Sequence, residues 1–97
     1  MTQNNLETSR IHLFVNGKVQ GVGFRAYVQH TAKKLGLTGW VRNIGYSQVE
    51  TVAEGNLEVL KGFAEAVKLG PRSARVDVMS LTWEDPIGDL ERFEVRF

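Results

Sequence analysis

Cysteine is absent from the 97 residues of the chain, and histidine occurs only at His12 and His30. The sequence therefore excludes disulfide bonds, thiolate nucleophiles and cysteine-based zinc or iron–sulfur sites. Two histidines cannot form a histidine-rich metal cage on their own, so we expect both to be structural or exposed at the surface. The sequence predicts no metal site and no other cofactor.

Long apolar runs and a strong excess of one charge are missing as well. No stretch approaches the ~20 apolar residues of a membrane-spanning helix, and the N-terminus lacks the segments of a signal peptide. The net charge is +1, with 12 basic against 11 acidic residues, which argues against a protein that holds nucleic acid mainly by charge. We expect a cytoplasmic monomer that binds neither membranes nor nucleic acid. Its acidic residues Glu54, Glu58 and Glu65 are expected to form a solvated face.

Hydrophobic periodicity predicts five strands and two helices. Alternating apolar residues predict strands at residues 10–16, 38–44, 47–53, 74–83 and 92–97. Apolar stripes predict helices at residues 24–35 and 57–69, the second with Asn56 as its N-cap. A change of apolar phase within the fourth strand suggests a β-bulge. Residues 1–9 are polar and aperiodic, and are predicted to form a flexible tail before a domain of residues 10–97.

The order β-α-β-β-α-β with an added terminal strand is typical of the ferredoxin-like α+β fold. It predicts an antiparallel sheet, two helices on one face of that sheet and a short C-terminal strand. The first two strands run in the same direction in this arrangement, so their C-terminal ends lie at the same edge. A functional site is expected there, where the loop after the first strand meets the turn after the second.

Three glycines occupy seven residues in Gly17-Lys-Val-Gln-Gly-Val-Gly23, directly before the first helix. Backbone N–H groups in such a loop can form an anion-binding concavity, and a helix N-terminus also favours anions. Arg25 lies in the first turn, where a cation is unfavourable for the helix dipole, and its guanidinium suits bidentate recognition of a phosphate. A glycine-rich turn with a solvated arginine explains these residues equally well.

Two segments, Gly17-Lys-Val-Gln-Gly-Val-Gly-Phe-Arg25 and Gly39-Trp-Val-Arg-Asn43, resemble the signatures of the acylphosphatase family. Shorter similarities extend the resemblance over nearly everything after residue 9: Ala53-Glu-Gly55, Ala74-Arg-Val-Asp77 and Phe93-Glu-Val-Arg96. The resemblance implies a ferredoxin-like enzyme that hydrolyses the carboxyl–phosphate bond of acyl phosphates without a metal. One departure is the hairpin turn Ile44-Gly45-Tyr46-Ser47, where the family commonly has Pro-Asp-Gly or Asn-Asp-Gly. It leaves the shape of the rim and the substrate preference open.

The resemblance also implies residue roles. Arg25 corresponds to the arginine that binds the phosphate, and Asn43 corresponds to the asparagine that holds the attacking water. The phosphate cradle is implied to consist of the backbone amides of Gln20, Gly21, Val22, Gly23, Phe24 and Arg25. The partners are then a small acyl phosphate as substrate, and inorganic phosphate as product and inhibitor. Without the resemblance, Asn43 is explained more simply as the start of a turn. For Gln20 the site needs the backbone N–H group, and its side chain is expected to have only a supporting role.

The implied reaction suits a site without histidine, cysteine or paired carboxylates. Its leaving group is a carboxylate, whose conjugate acid has a pKa near that of Asp or Glu, so it needs little help from a general acid. The remaining tasks are to hold the phosphoryl oxygens, to neutralise the charge that develops on them and to place a water in line. A charged arginine, a ring of amides and a neutral asparagine can perform all three.

Three alternative functions share this element order. An RNA-recognition module needs exposed aromatic residues on strands 1 and 3, and the third strand, Ser47-Gln-Val-Glu-Thr-Val-Ala53, has none. A non-catalytic anion-binding domain, similar to the one at the start of larger carbamoyl-transfer maturation proteins, would bind phosphate without hydrolysing the substrate. A ferredoxin-like regulatory domain would not need both Arg25 and Asn43.

Overall fold

Five strands and two helices make up the computed structural model, which describes residues 7–97. In chain order the elements are β1 (Thr8–Lys18), α1 (Phe24–Lys34), β2 (Thr38–Ile44), β3 (Gln48–Asn56), α2 (Leu57–Leu69), β4 (Arg75–Glu84) and β5 (Phe93–Arg96). β2 and α2 have the predicted bounds, whereas β1 and β3 are longer than the alternating apolar residues indicated. Of the predicted tail, residues 1–6 lie outside the described part of the chain, and Thr8 and Ser9 belong to β1.

The strands form one sheet in the order β4-β1-β3-β2-β5, with the two helices on one of its faces. The pairs β1–β3, β1–β4 and β2–β3 are antiparallel, and the predicted ferredoxin-like α+β class is confirmed. β5 adds one feature that the sequence did not indicate, because it pairs parallel to β2 and makes the sheet mixed. Consequently β1, β2 and β5 run in the same direction, and their C-terminal ends meet at one edge of the sheet.

The predicted β-bulge is present in β4. Asn16 pairs with Val78 and Gly17 pairs with Val76, so Asp77 has no partner in β1. The extra residue changes which side chains of β4 face the helices. As a result Val76 packs against the core, whereas Val78 is 59% exposed.

The core lies between the sheet and the helices. Alternate residues of β1 and one stripe of each helix are buried in it: Ile11, Leu13, Val15, Phe24, Val28, Ala32, Leu60, Phe63 and Val67. Each large buried side chain contributes about 1.5–3 kcal/mol. α2 begins at the predicted N-cap, since Asn56 Oδ1 accepts hydrogen bonds from Glu58 N (2.9 Å) and Val59 N (3.2 Å). No helix within residues 7–97 is long and apolar enough to cross a membrane.

The opposite face of the sheet carries a network of paired charges centred on His12. Its Nδ1 atom is 2.6 Å from Glu84 Oε2, and its Nε2 atom is 2.6 Å from Glu50 Oε2. Because an ionised carboxylate only accepts hydrogen bonds, both ring nitrogens donate and the ring is an imidazolium. Burial alone would lower the pKa of His12, but the hydrogen bonds and charges of Glu84 and Glu50 raise it above its usual value. His12 is therefore structural, as the sequence predicted.

Glu54 belongs to the same network, and its predicted place in a solvated face was wrong. The residue is only 4% exposed, although Glu58 and Glu65 on α2 are exposed as expected. Its carboxylate accepts hydrogen bonds from Arg10 Nη1 (2.7 Å) and from the backbone N–H of Ile87 (2.9 Å), in the segment that joins β4 to β5. Burial acts to raise the pKa of Glu54, but these donors outweigh it and lower that pKa.

Replacing His12 by glutamine is expected to destabilise the protein more at pH 6 than at pH 9. Because the pKa of His12 is raised on folding, its favourable charge interaction is complete below the unfolded-state value of about 6.5. It is lost as the pH rises through the folded-state value. At pH 6 the substitution should lower the free energy of unfolding by about 2 kcal/mol, as measured by urea denaturation.

The matched control is His30→Gln. His30 is exposed on α1, and its side chain makes no hydrogen bond within residues 7–97, so its replacement should have the same small effect at both pH values. Equal losses of stability for His12→Gln at pH 6 and pH 9 would contradict a charged His12 in the folded protein.

Candidate active site

Gly21 and Gly23 determine the shape of the loop between β1 and α1. Their φ angles of 72° and 76° lie in the left-handed region that glycine adopts without strain. α1 begins after Gly23 without a side-chain cap, and a backbone hydrogen bond runs from Tyr27 N to Gly23 O (3.0 Å). The N–H groups from Gln20 to Ala26 find no acceptor within residues 7–97. They are free donors in the loop and in the first turn of α1, where the helix dipole is positive.

Arg25, in the first turn of α1, forms no salt bridge with a carboxylate of residues 7–97. Its Nη1 atom donates a long hydrogen bond of 3.4 Å to Arg96 O, and its guanidinium lies 4.7 Å from the ring centroid of Phe97. Both contacts come from the end of β5, which the parallel pairing with β2 brings to this edge. They restrain the guanidinium, while its other N–H donors stay available to an anion.

Asn43 is the penultimate residue of β2 and lies on the same face of the sheet as Val41, which is fully buried. The Oδ1 atom of Asn43 is buried and has no hydrogen-bond partner within residues 7–97. Buried polar atoms nearly always have a partner, so an unpartnered one needs an explanation. A hydrogen-bond donor bound beside β2 is such an explanation.

A cavity of about 370 Å³ brings these groups together. Five of the site residues predicted from the sequence line it: Arg25, Asn43, Gly21, Gly23 and Phe24. Gln20 and Val22, the other two predicted residues, do not line it. Val22 packs against the core, and the Gln20 side chain points away to the hairpin turn after β2.

Five further residues of the cavity wall were not identified from the sequence: Val19, Ala26, Gln29, Val95 and Phe97. Gln29 could have been found, because it follows Arg25 by four residues and therefore lies on the same face of α1. Val95 and Phe97 could not, since they reach the cavity through the parallel pairing of β5 with β2. Their side chains place an apolar wall beside the charged one.

The groups in the cavity suit a small tetrahedral anion. Free N–H donors and an unpaired guanidinium bind anionic oxygens, and a carbonyl oxygen such as Asn43 Oδ1 can orient a water. The lining side chains include no hydroxyl of Ser or Thr, no thiol, no imidazole and no carboxylate, so none of them offers a nucleophile and a bound water can serve as the attacking group. Within residues 7–97, no three His, Cys, Asp or Glu residues are grouped so that they could hold a metal ion.

Known proteins similar to this chain include acylphosphatases. The family model described as acylphosphatase matches residues 11–95. The acylphosphatase of Syntrophotalea carbinolica is 47% identical over 88 residues, which are 91% of this chain and 96% of that protein. The solved acylphosphatase of Bacillus subtilis is 39% identical, with a TM-score of 0.88 and coverage of 92% of this chain and 99% of that one. The solved acylphosphatase of Coxiella burnetii is 40% identical, with a TM-score of 0.83 and coverage of 99% of this chain and 100% of that one.

Alanine at two glycine positions is expected to change stability in opposite directions. An added Cβ atom would meet nothing within 4 Å at either Gly23 or Gly62, so the backbone conformation decides the sign. Gly23→Ala places alanine in the left-handed region and should cost about 1 kcal/mol. Gly62→Ala lies inside α2 and should stabilise the protein by about 1 kcal/mol. Urea denaturation measures both effects, and a gain in stability for Gly23→Ala would contradict the loop conformation.

Proposed function

The chain belongs to the acylphosphatase family, and we propose that Arg25 and the backbone N–H groups of residues 20–25 bind the phosphoryl group while Asn43 positions the attacking water. Acylphosphatases are hydrolases that act on acyl phosphates, small molecules in which a carboxylate is joined to phosphate. Hydrolysis releases the carboxylate and inorganic phosphate. The observation that carries the proposal is that Arg25 lines the same cavity as Asn43, whose buried Oδ1 atom has no hydrogen-bond partner within residues 7–97.

The phosphoryl group needs fixed donors, and the loop before α1 supplies them. The N–H groups from Gln20 to Ala26 are free within residues 7–97, and Arg25 adds the positive charge of its guanidinium. Because the backbone holds these donors in place, they need no reorganisation as negative charge develops on the phosphoryl oxygens. Removal of one such donor typically lowers turnover by ~10²–10³.

In this proposal Asn43 orients the water but does not deprotonate it. Its Oδ1 atom accepts a hydrogen bond from one O–H group of the water, and this contact directs a lone pair of the water toward phosphorus. A new phosphorus–oxygen bond forms as the bond to the carboxylate oxygen breaks, the carboxylate leaves with the bonding electrons, and a water proton passes to the phosphate. No general acid is required because the departing carboxylate is a weak base.

We also propose that the reaction is metal-independent and that the protein is a cytoplasmic monomer. Arg25 and the free N–H groups can provide the charge neutralisation that divalent cations give in other phosphoryl-transfer sites. The open face of the sheet supports a monomer, because it carries charges that are paired within the chain, including Arg10 with Glu54 and His12 with Glu50. The cytoplasmic location and the lack of nucleic-acid or membrane partners stay predictions from composition.

Arg25→Gln and Asn43→Ala are each expected to lower kcat/KM for benzoyl phosphate by at least about 100-fold. The first removes the fixed charge on the phosphoryl group, and the second removes the acceptor for the water. Initial rates are measured with EDTA present, so that activity of the wild-type protein in the same assay tests metal independence.

Arg42→Gln is the matched control for Arg25→Gln. Arg42 directly precedes Asn43 but lies on the opposite face of the sheet, where it pairs with Glu50 (2.8 Å). Its replacement removes the same charge from the chain and should leave kcat/KM close to the wild-type value. Wild-type rates in Arg25→Gln and Asn43→Ala would show that hydrolysis occurs without this site.

Inorganic phosphate is expected to inhibit competitively, because as a product it occupies the donors that bind the substrate. Arg25→Gln should raise the inhibition constant by about 10–100-fold, which corresponds to the loss of a charge-assisted hydrogen bond. Asn43→Ala should leave that constant nearly unchanged, since Asn43 binds the water and not the phosphate. Steady-state kinetics at several phosphate concentrations measure both, and non-competitive inhibition would contradict the shared site.

A further inference from the structure

The side chain of Gln20 connects the loop before α1 with the hairpin turn that follows Asn43. Its Nε2 atom donates to three backbone carbonyl oxygens around the hairpin turn between β2 and β3: Ile44 O at 3.2 Å, Gly45 O at 3.1 Å and Gln48 O at 3.0 Å. That turn directly follows Asn43. The backbone of Gln20, in contrast, belongs to the loop that carries the free N–H donors.

Strand pairing closes the hairpin turn at Ile44 and Gln48, but its tip makes few side-chain contacts within residues 7–97. Gly45 has no side chain, and Tyr46 is 99% exposed. One backbone hydrogen bond, from Gly17 N to Ser47 O (3.1 Å), joins the turn to the end of β1. The Gln20 amide is therefore the main side-chain contact that fixes the turn relative to the loop.

The chemistry of the contact requires a hydrogen-bond donor at the end of the Gln20 side chain. Three carbonyl oxygens surround one nitrogen, so the group placed there must donate hydrogen bonds. Glutamate has the same shape, but its ionised carboxylate only accepts and would face three partial negative charges. Methionine fills a similar volume without donating at all.

We propose that Gln20 is a positioning residue that sets the distance between the bound phosphoryl group and the water held by Asn43. The inference rests on the proposed function, because it assumes that the loop holds the phosphoryl group and that Asn43 holds the water. In-line attack requires the water to be correctly placed relative to the phosphorus atom, and a misplacement of about 1 Å can lower the rate by ~10²-fold. The side chain of Gln20 acts through Asn43 and does not touch the reacting atoms.

Gln20→Met is expected to lower kcat for benzoyl phosphate by about 10–100-fold. KM and the inhibition constant of inorganic phosphate should change little, because Arg25 and the loop N–H groups still bind the phosphoryl group. A loss that fell on KM and phosphate inhibition instead would overturn the proposal, since it would place the effect in the phosphate cradle.

Gln20→Glu gives a second readout that a purely structural role would not produce. The ionised carboxylate cannot donate to the carbonyl oxygens, but the protonated acid can donate one hydrogen bond, and the surrounding oxygens raise its pKa. The kcat of this variant should recover as the pH falls through that pKa. The wild-type protein and Gln20→Met should lack this recovery, and its absence from Gln20→Glu would overturn the proposal.

Tyr27→Phe is the matched control. It removes another hydrogen bond from a side chain to a backbone carbonyl, that of Tyr27 Oη to Ala66 O (2.7 Å) between the helices. The variant should lower the thermal unfolding midpoint and leave kcat unchanged. If Gln20→Met keeps wild-type kcat while Asn43→Ala is inactive, the positioning role is overturned and the proposed site stands. If Asn43→Ala keeps its activity, the proposed site itself fails.

Discussion

The shared direction of β1, β2 and β5 determines where the site lies and what it is made of. Strands that run in the same direction end at the same edge of the sheet, and each of these three ends delivers a different group. β1 leads into the loop of free N–H donors, β2 carries Asn43 as its penultimate residue, and β5 brings Val95 and Phe97. Without the parallel pairing of β5, Arg25 would lose its contacts with Arg96 and Phe97.

Polar groups are paired on the open face of the sheet but lack partners at the edge that carries the site. On the open face, His12 and Arg10 are satisfied by the carboxylates of Glu50, Glu84 and Glu54. At the site edge, Arg25 forms no such pair within residues 7–97, and Asn43 Oδ1 has no partner there. A buried unsatisfied group costs about 1–3 kcal/mol. The fold concentrates this cost at one edge, where a ligand can offset it.

Local signals in the sequence were sufficient for much of the fold and for the central pair of the site. Asn56 was predicted as an N-cap because its preference depends on the neighbouring backbone alone. Arg25 and Asn43 were placed at one edge because the element order fixes the direction of β1 and β2, although their roles stay proposals. The family resemblance added those roles, which composition and periodicity could not supply.

What the sequence could not reveal depends on contacts between distant segments. The segment that joins β4 to β5 covers Glu54, and no local pattern distinguishes that carboxylate from the solvated Glu58. The same segment places β5 beside β2 in a parallel orientation, and Phe97 therefore reaches the cavity. For Gln20 the sequence indicated a loop backbone, while its side-chain contacts depend on how closely the β2–β3 turn approaches.

The division of the cavity into a polar and an apolar wall follows from the chemistry in the proposed mechanism. In that mechanism the donors near Arg25 act on charge that develops on the phosphoryl oxygens, whereas contacts with the acyl group bind substrate and transition state alike. The hydrocarbon part of the acyl group needs only apolar contact, which Val95 and Phe97 can provide. Because the carboxylate leaves readily, precision is needed mainly between phosphorus and the water. That distance spans the loop of Gln20 and the end of β2, which is where the side-chain contacts of Gln20 are concentrated.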